Sequence, residues 1–197
     1  TKARVTKVPT PAPTAANTKV VTVNSLGLSL TATTTPTSLD LSLRRLGGAA
    51  GGGPPPNAWF SLGFGSQMVG SYAFIALDPT DPGNAAANRP AVGIYAMDAK
   101  LTASDMRLIA ASSNATFTVT DAYAEMNASL PLPPALGGGG ADTASAIIPE
   151  MGNLDLMANT PLMFALGSSA TLAKHSASKV MSNVGSLVSV AGQNLIP

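Results

Sequence analysis

The sequence predicts an all-β protein, an immunoglobulin-like antiparallel β-sandwich of about ten strands. Short apolar or alternating segments recur along the chain, and turns rich in Gly and Pro separate them. No segment that combines helical periodicity with good caps reaches about twelve residues. With 197 residues, the chain is long enough for one large sandwich and short for two separate cores.

The N-terminal 19 residues form a tail rich in Pro and Thr. Pro9, Pro11 and Pro13 alternate with Thr and Ala, which favours an extended polyproline conformation and prevents a helix. A polar tail of this kind gains order by lying against another surface, either its own domain or a neighbouring copy. We therefore predict an extended tail at 1–19 that links subunits, followed by a single sandwich domain at 20–197.

Short strands are predicted from the end of the tail onward, at 20–24, 26–34 and 39–43. In the second and third segments, leucine recurs at every second position, which is typical of a half-buried strand. A loop of Gly, Ala and Pro follows, and then a central hairpin with strands predicted at 59–64 and 72–77. The second hairpin strand is almost continuously apolar, which is typical of a strand buried on both faces.

The second half of the chain continues the same pattern after a polar loop at 78–90. Within that loop, Asp81-Pro82-Gly83 predicts a turn. In the segment 122–130, small and apolar residues alternate with polar ones, so one face is expected to lie in the core and the other in solvent. Strands are predicted at 91–97, 106–111, 114–120, 122–130 and 161–167, with a closing strand at 187–190.

Composition excludes several classes of function. The net charge is +1 and only 11% of the residues are charged, so no concentrated basic face is available for nucleic acid or an anionic membrane. The absence of cysteine excludes disulfides and thiolate metal sites, and no apolar run is long enough for a membrane span. His175 is the only histidine, and the sequence contains no nucleophile-elbow motif. No pair of acidic residues lies in a setting typical of a glycosidase. The sequence therefore predicts a protein that is not an enzyme.

Two segments carry a resemblance to a known family. Met68 follows a Gly-rich turn between the two strands of the central hairpin, and His175 follows a late apolar strand that ends in Gly167-Ser168. Together these segments resemble the signature motifs of DOMON domains, an extracellular β-sandwich family that includes b-type cytochrome domains; Phe164 stands where that family usually has Trp. The resemblance implies haem b with Met68 and His175 as axial ligands to the iron, and one-electron transfer to a redox partner.

Two tripeptides match the acceptor motif for N-linked glycans, at Asn114-Ala115-Thr116 and at Asn127-Ala128-Ser129. Both asparagines fall on the polar face of a predicted strand, where a glycan would project into solvent. Together with the Thr/Pro tail, these motifs favour a secreted glycoprotein at the cell surface.

Two alternatives remain open beside the cytochrome. One is a haem-free structural subunit of an extracellular filament, linked through the N-terminal tail, in which residues 20–23 add to the sheet edge of a neighbour. The other is a sugar-binding DOMON module with Trp59 and Tyr72 as stacking residues. A place for Trp59 in the sandwich core is the competing interpretation, and it is the one that we favour.

Overall fold

The computed structural model describes residues 17–35, 38–46, 57–67, 69–97, 106–111, 114–131, 161–173, 175–185 and 187, with the backbone alone at 110, 111 and 131. Residues 1–16 of the predicted tail lie outside this set, and residues 17–19 belong to the first strand. The described strands are β1 (Asn17–Val23), β2 (Leu28–Thr34), β3 (Ser38–Leu46), β4 (Phe60–Phe64), β5 (Ser71–Ala76), β6 (Val92–Met97), β7 (Met106–Ala111), β8 (Ala115–Val119), β9 (Tyr123–Pro131), β10 (Leu162–Leu166) and β11 (Ala177–Met181).

The strands form two antiparallel sheets, which confirms the predicted β-sandwich. The five-stranded sheet has the order β1-β2-β3-β9-β8, and the six-stranded sheet has the order β11-β10-β4-β5-β6-β7. The chain builds β1 to β3 in the first sheet and β4 to β7 in the second. It then returns to the first sheet for the β8–β9 hairpin and ends the described strands with the β10–β11 hairpin.

The main core lies between the two sheets. Leucines at alternate positions of β2 and β3 face inward, as their period-2 spacing predicts, and pack with phenylalanines of the six-stranded sheet. Burial of each such side chain stabilises the fold by about 1.5–3 kcal/mol. The fully buried large residues of this core include Leu28, Leu30, Leu39, Leu41, Leu43, Phe60, Leu62, Phe74, Leu162, Phe164 and Met126.

A second apolar cluster covers the outer face of the six-stranded sheet. It contains Trp59, Ile75, Leu77, Tyr95 and Leu172, so the central strands are buried on both faces, as the continuous apolar run at 72–77 predicts. Burial raises the pKa of the Tyr95 hydroxyl. In the described part of the chain, neither that hydroxyl nor the indole N–H of Trp59 has a hydrogen-bond partner.

The last strand of the described residues, β11, lies before the predicted closing strand at 187–190, most of which falls outside the described residues. β11 pairs with β10 over Ala177–Met181, whereas Leu187 is in no strand and residues 188–190 lie outside the described residues. The side chains of β11 are all exposed or half-buried, so the segment has no alternation of apolar and polar residues to reveal it. Its pairing with β10 defines it as a strand.

A short helix, α1 (Pro82–Ala86), occupies the loop for which the sequence predicts a turn. Asp81 is its N-cap and accepts hydrogen bonds from the backbone N–H groups of Gly83 and Asn84, and Pro82 holds the first helical position. Asp81 also accepts a 2.6 Å hydrogen bond from the hydroxyl of Thr171. The cap therefore ties the loop before β6 to the segment that follows β10.

This cap gives the fold a pH dependence. The Thr171 hydroxyl, together with the two backbone N–H groups, lowers the pKa of Asp81 below its ordinary value. The ionised carboxylate is thus favoured in the folded state, so its stabilising effect is complete above the unfolded pKa and is lost as the pH falls through the folded value. We expect Thr171→Val to lower Tm at pH 7 and to lower it less at pH 3. An equal loss of Tm at both pH values would show that the hydroxyl acts only by packing.

Candidate functional site

The outer face of the five-stranded sheet carries a shallow, open groove of about 360 Å³. Side chains from β2, β3, β8 and β9 and from the residue before β8 line it. Most of them are hydroxyl or amide side chains, since the alternation that sends the leucines inward sends the polar residues outward. The lining residues are Thr31, Thr33, Asp40, Leu41, Ser42, Asn114, Thr116, Asn127, Ala128 and Ser129.

The strand register arranges the polar side chains in two rows that run across the strands. In the first row, Thr31 of β2 lies opposite Ser42 of β3. Ser42 lies opposite Asn127 of β9, which in turn lies opposite Thr116 of β8. Neighbouring strands are about 4.8 Å apart, so this row places four polar side chains at regular intervals over roughly 14 Å.

The second row lies two residues further along the strands, at about 6.6 Å from the first. Thr33 lies opposite Asp40, and Asp40 lies opposite Ser129. The backbone carbonyl of Asn114 accepts a 3.1 Å hydrogen bond from the backbone N–H of Ser129, which holds the residue before β8 at the end of this row. The two rows together form the floor and rim of the groove.

Some of these polar groups are already paired and others are not. Ser129 donates a 2.5 Å hydrogen bond to Asp40, and Ser42 donates a 3.0 Å hydrogen bond to Glu125. By contrast, four of the lining side chains form no hydrogen bond within the part of the chain that the structure describes. These are Thr31, Asn114, Thr116 and Asn127.

The groove can both donate and accept hydrogen bonds, and its lining carries little charge. Threonine hydroxyls and asparagine amides each donate and accept, whereas Asp40 is the only ionisable residue in the lining. The threonine methyl groups add apolar surface between the polar atoms, whereas the side chains of Leu41 and Ala128 point into the main core. Such a surface matches a ligand that alternates hydroxyl groups with C–H faces.

Both predicted glycan acceptors lie in this groove. Asn114 and Asn127 are exposed, as predicted, and the hydroxyl residues of their motifs, Thr116 and Ser129, are lining residues as well. A glycan attached to either asparagine would therefore lie over the groove. Glycan attachment itself stays a prediction.

The two aromatic residues predicted to stack on a sugar are not on this surface. Trp59 is only 3% exposed and belongs to the second apolar cluster, which supports the interpretation of Trp59 as a core aromatic and not as a stacking residue. Tyr72 is half-buried and packs against the main core. Tyr123 is on the outer face of β9, but the guanidinium of Arg44 lies 3.9 Å from its ring centroid and covers that face.

The two predicted haem ligands belong to segments at opposite ends of the six-stranded sheet. Met68 lies outside the described residues, and its neighbours Gln67 and Val69 belong to the turn that follows Phe64 at one end of β4. His175 is half-buried and precedes Ser176, whose backbone N–H donates to Leu166, next to Phe60 at the other end of β4.

The four residue steps from Phe60 to Phe64 alone span about 13 Å. Two axial ligands must touch the same iron atom, and because Met68 lies outside the described residues, the described geometry does not decide whether the two side chains meet. No three His, Cys, Asp or Glu side chains come together as a metal site among the described residues either. The ligand pair stays a prediction, and a visible absorption spectrum of the native protein before and after dithionite would test it.

Comparison with known proteins gives no family for this chain: no family model, curated protein or solved structure matches it. The resemblance to DOMON domains therefore rests on the two sequence segments alone. Among the described helices, none has the length and apolar character needed to cross a membrane.

Sequence reasoning did not single out most residues of the groove. Asn114 and Asn127 were found through their glycan motif, whereas Thr31, Asp40 and Ser42 are ordinary outward positions of alternating strands. A signal was present, because the outward positions of β2, β3 and β9 that line the groove all carry Ser, Thr, Asn or Asp. The pairing register that aligns these positions in rows depends on several strands, so it could not be predicted from any one segment.

Proposed function

We propose that this chain is an extracellular saccharide-binding protein and that its ligand lies in the groove on the outer face of the five-stranded sheet. The proposal is carried by the hydroxyl and amide side chains of Thr31, Asn114, Thr116 and Asn127, which line one open groove and have no hydrogen-bond partner among the described residues. Polar side chains at the regular spacing of neighbouring strands complement a polysaccharide chain, whose hydroxyl groups also repeat at regular intervals.

The ligand that fits best is a neutral saccharide. The carboxylate of Asp40 is the only charge in the lining, so it would repel uronic acid or sulfate groups while accepting hydrogen bonds from sugar hydroxyls. A single carboxylate also lacks the partner that glycoside hydrolysis requires, which favours binding without catalysis. Without an aromatic platform, and with net hydrogen bonds worth about 0.5–1.5 kcal/mol each, we expect Kd values of about 10 µM to 1 mM.

The experiment uses the full chain made in a host that does not attach N-linked glycans. Affinity electrophoresis in gels that contain neutral polysaccharides, such as a β-glucan, a mannan or a xylan, measures retardation of the folded protein. We expect at least one of them to retard the wild type. We expect Asn127→Ala to weaken that binding by about 5- to 50-fold, since the amide side chain makes about two hydrogen bonds at the centre of the first row.

Matched threonine variants provide the control. Thr31→Val removes one hydroxyl inside the groove and should weaken binding by roughly 2- to 10-fold. Thr118→Val makes the same change on the outer face of β8 outside the groove lining and should leave binding unchanged. Equal effects of the two valine variants, or no retardation by any neutral polysaccharide, would contradict the proposal.

The source of the saccharide is decided by a second arm of the same experiment. If the chain made in a glycosylating host carries a glycan at Asn114 or Asn127, peptide mass spectrometry will detect it. An attached glycan at Asn127 that abolishes retardation would mean that the groove holds the protein's own glycan instead of an external polysaccharide.

The filament alternative stays a prediction. Its proposed linker is the N-terminal tail, of which residues 1–16 lie outside the described residues. Residues 20–23, which were predicted to add to a neighbour's sheet edge, pair with β2 of the same chain instead. Any contribution of this strand to assembly must therefore use its other edge.

A further inference from the structure

The groove on the outer face of the five-stranded sheet is longer across the strands than along them. Its lining extends from Thr31 on β2, over β3 and β9, to Thr116 on β8, which is three strand spacings or about 14 Å. Along the strands it covers only the two rows of polar side chains, which are about 6.6 Å apart. A chain molecule that fills the groove therefore runs perpendicular to the strands.

Longer side chains border the first row on the side away from the second row. Arg44 and Glu125 are opposite each other there, and both lie outside the groove lining. The guanidinium of Arg44 lies 3.9 Å from the ring centroid of Tyr123, and Glu125 accepts a 3.0 Å hydrogen bond from the hydroxyl of Ser42. These contacts hold the bordering side chains in place, so a ligand can extend across the strands more easily than along them.

The polar groups of the first row repeat at one strand spacing, about 4.8 Å, in a nearly straight line. A β-1,4-linked chain of glucose, mannose or xylose is extended, because both bonds that link each ring to its neighbours are equatorial. Each ring advances such a chain by about the same distance as one strand spacing, so successive rings would lie over successive strands. Glucose chains with α-1,4 or β-1,3 links wind into helices, and their rings therefore leave a straight row.

We propose that the groove selects extended β-1,4-linked saccharides, which lie perpendicular to the strands with successive sugars over β2, β3, β9 and β8. Thr31 and Thr116 contact the sugars at the two ends, and Ser42 and Asn127 contact those between them. The Ser42 hydroxyl donates to Glu125 and still accepts a hydrogen bond from a sugar hydroxyl. This selectivity rests on the proposed function and adds to it the linkage and the direction of the ligand.

The twist of the sheet limits the ligand to single chains in solution. Neighbouring strands rotate by roughly 20–25°, so the outward direction of the row turns by about 60–75° from β2 to β8. A single chain can follow this turn by rotation at its linkages, whereas the flat face of a cellulose crystal cannot. The described lining also contains no aromatic side chain that would stack on a flat face. We therefore expect binding to soluble saccharides and not to crystalline cellulose.

Isothermal titration calorimetry of the full chain, made in a host that does not attach N-linked glycans, tests linkage and length. The probes are β-1,4-linked cello-, manno- and xylo-oligosaccharides from disaccharide to hexasaccharide, with maltohexaose (α-1,4) and laminarihexaose (β-1,3) for comparison. In at least one β-1,4 series, the affinity should rise by roughly 5- to 100-fold from disaccharide to tetrasaccharide, because two more sugars add about one hydrogen bond each.

The affinity should then stay constant up to the hexasaccharide. The polar row ends at Thr116 on β8 and at Thr31, next to which the row position on β1 is Val20. The two coiled hexasaccharides should bind roughly 10-fold more weakly than the β-1,4 hexasaccharide, because they can reach fewer groups of the row.

Matched threonine variants locate the ligand along the row. Thr116→Val removes the last hydroxyl of the row, so the affinity should stop rising at the trisaccharide. Thr118→Val makes the same change on β8 outside the lining and should keep the length dependence of the wild type. Circular dichroism should show that both variants are folded.

The outcomes separate this selectivity from the proposed function. Equal affinities for the coiled and the β-1,4 hexasaccharides, an affinity that is already constant from the disaccharide onward, or the same length dependence in both variants would overturn the selectivity and leave saccharide binding intact. Co-sedimentation with crystalline cellulose would overturn the restriction to single chains. Binding of none of the neutral saccharides would instead contradict the proposed function itself.

Discussion

Replacement of Gly167 with alanine is expected to destabilise the protein by about 3 kcal/mol, or roughly 10 °C in Tm for a chain of this size. A Cβ atom at this position would lie 2.2 Å from Nε1 and 2.4 Å from Cδ1 of Trp59. The indole cannot move away easily, because Trp59 is buried and its backbone carbonyl accepts a 2.8 Å hydrogen bond from Gly167 itself. Thermal unfolding followed by circular dichroism measures the effect.

Gly63→Ala is the matched control for this variant. The atom nearest to the added Cβ would be Cε of Met163 at 3.1 Å, which is the end of a flexible side chain that can shift. We expect the free energy of unfolding to fall by less than about 1 kcal/mol. The Gly167→Ala/Trp59→Phe double variant should be less destabilised than the sum of its single changes, because the smaller ring relieves the clash. A Gly167→Ala protein as stable as Gly63→Ala would show that the indole does not pack against Gly167.

The second large effect is expected at Asn84, which is fully buried at 0% exposure. Its amide nitrogen donates to the carbonyls of Asp78 and Ala170 at 2.8 and 2.9 Å, and its oxygen accepts from the backbone N–H of Leu172 at 3.0 Å. Asn84→Ala removes these three hydrogen bonds, and the Asp78 carbonyl keeps only the 3.3 Å bond that it accepts from the backbone N–H of Asp81. We therefore expect the free energy of unfolding in urea to fall by about 3 kcal/mol.

A second substitution and a local measurement distinguish the loss of these hydrogen bonds from a simple loss of packing. Asn84→Asp keeps the shape but cannot donate to the two carbonyls, so we expect it to cost about as much as Asn84→Ala. Hydrogen exchange at the Leu172 amide should accelerate in Asn84→Ala. The exposed Asn24 provides the control, and an Asn84→Ala variant no less stable than Asn24→Ala would contradict the role of this network.

The strands were largely predictable because their signal is local. Leu28 and Leu30 alternate with polar residues in a single segment, and the apolar run that ends at Leu77 needs no knowledge of its neighbours to indicate a buried strand. The helix α1 was predictable in principle, since Asp81 and Pro82 form a capping signal, but a five-residue helix is too short for periodicity to reveal.

The arrangement of the candidate site depends on pairing between distant segments, which no local pattern determines. Thr31 and Asn127 share a row only because β3 lies between β2 and β9, and that order follows from packing of the whole sheet. The same is true of the predicted haem pair. The motifs of Met68 and His175 were identified separately, and the antiparallel pairing of β10 with β4 places their flanking residues at opposite ends of the sheet.

The most direct test of the proposed site is to map ligand contacts in solution. Amide chemical shifts of ¹⁵N-labelled protein, recorded during titration with an oligosaccharide of the polysaccharide that retards it, would show which residues respond. We predict that the largest shifts fall at Thr31, Thr116 and Asn127 and that the residues around His175 do not change. Shifts centred on His175, or spread evenly over the surface, would contradict the assignment of function to the outer face of the five-stranded sheet.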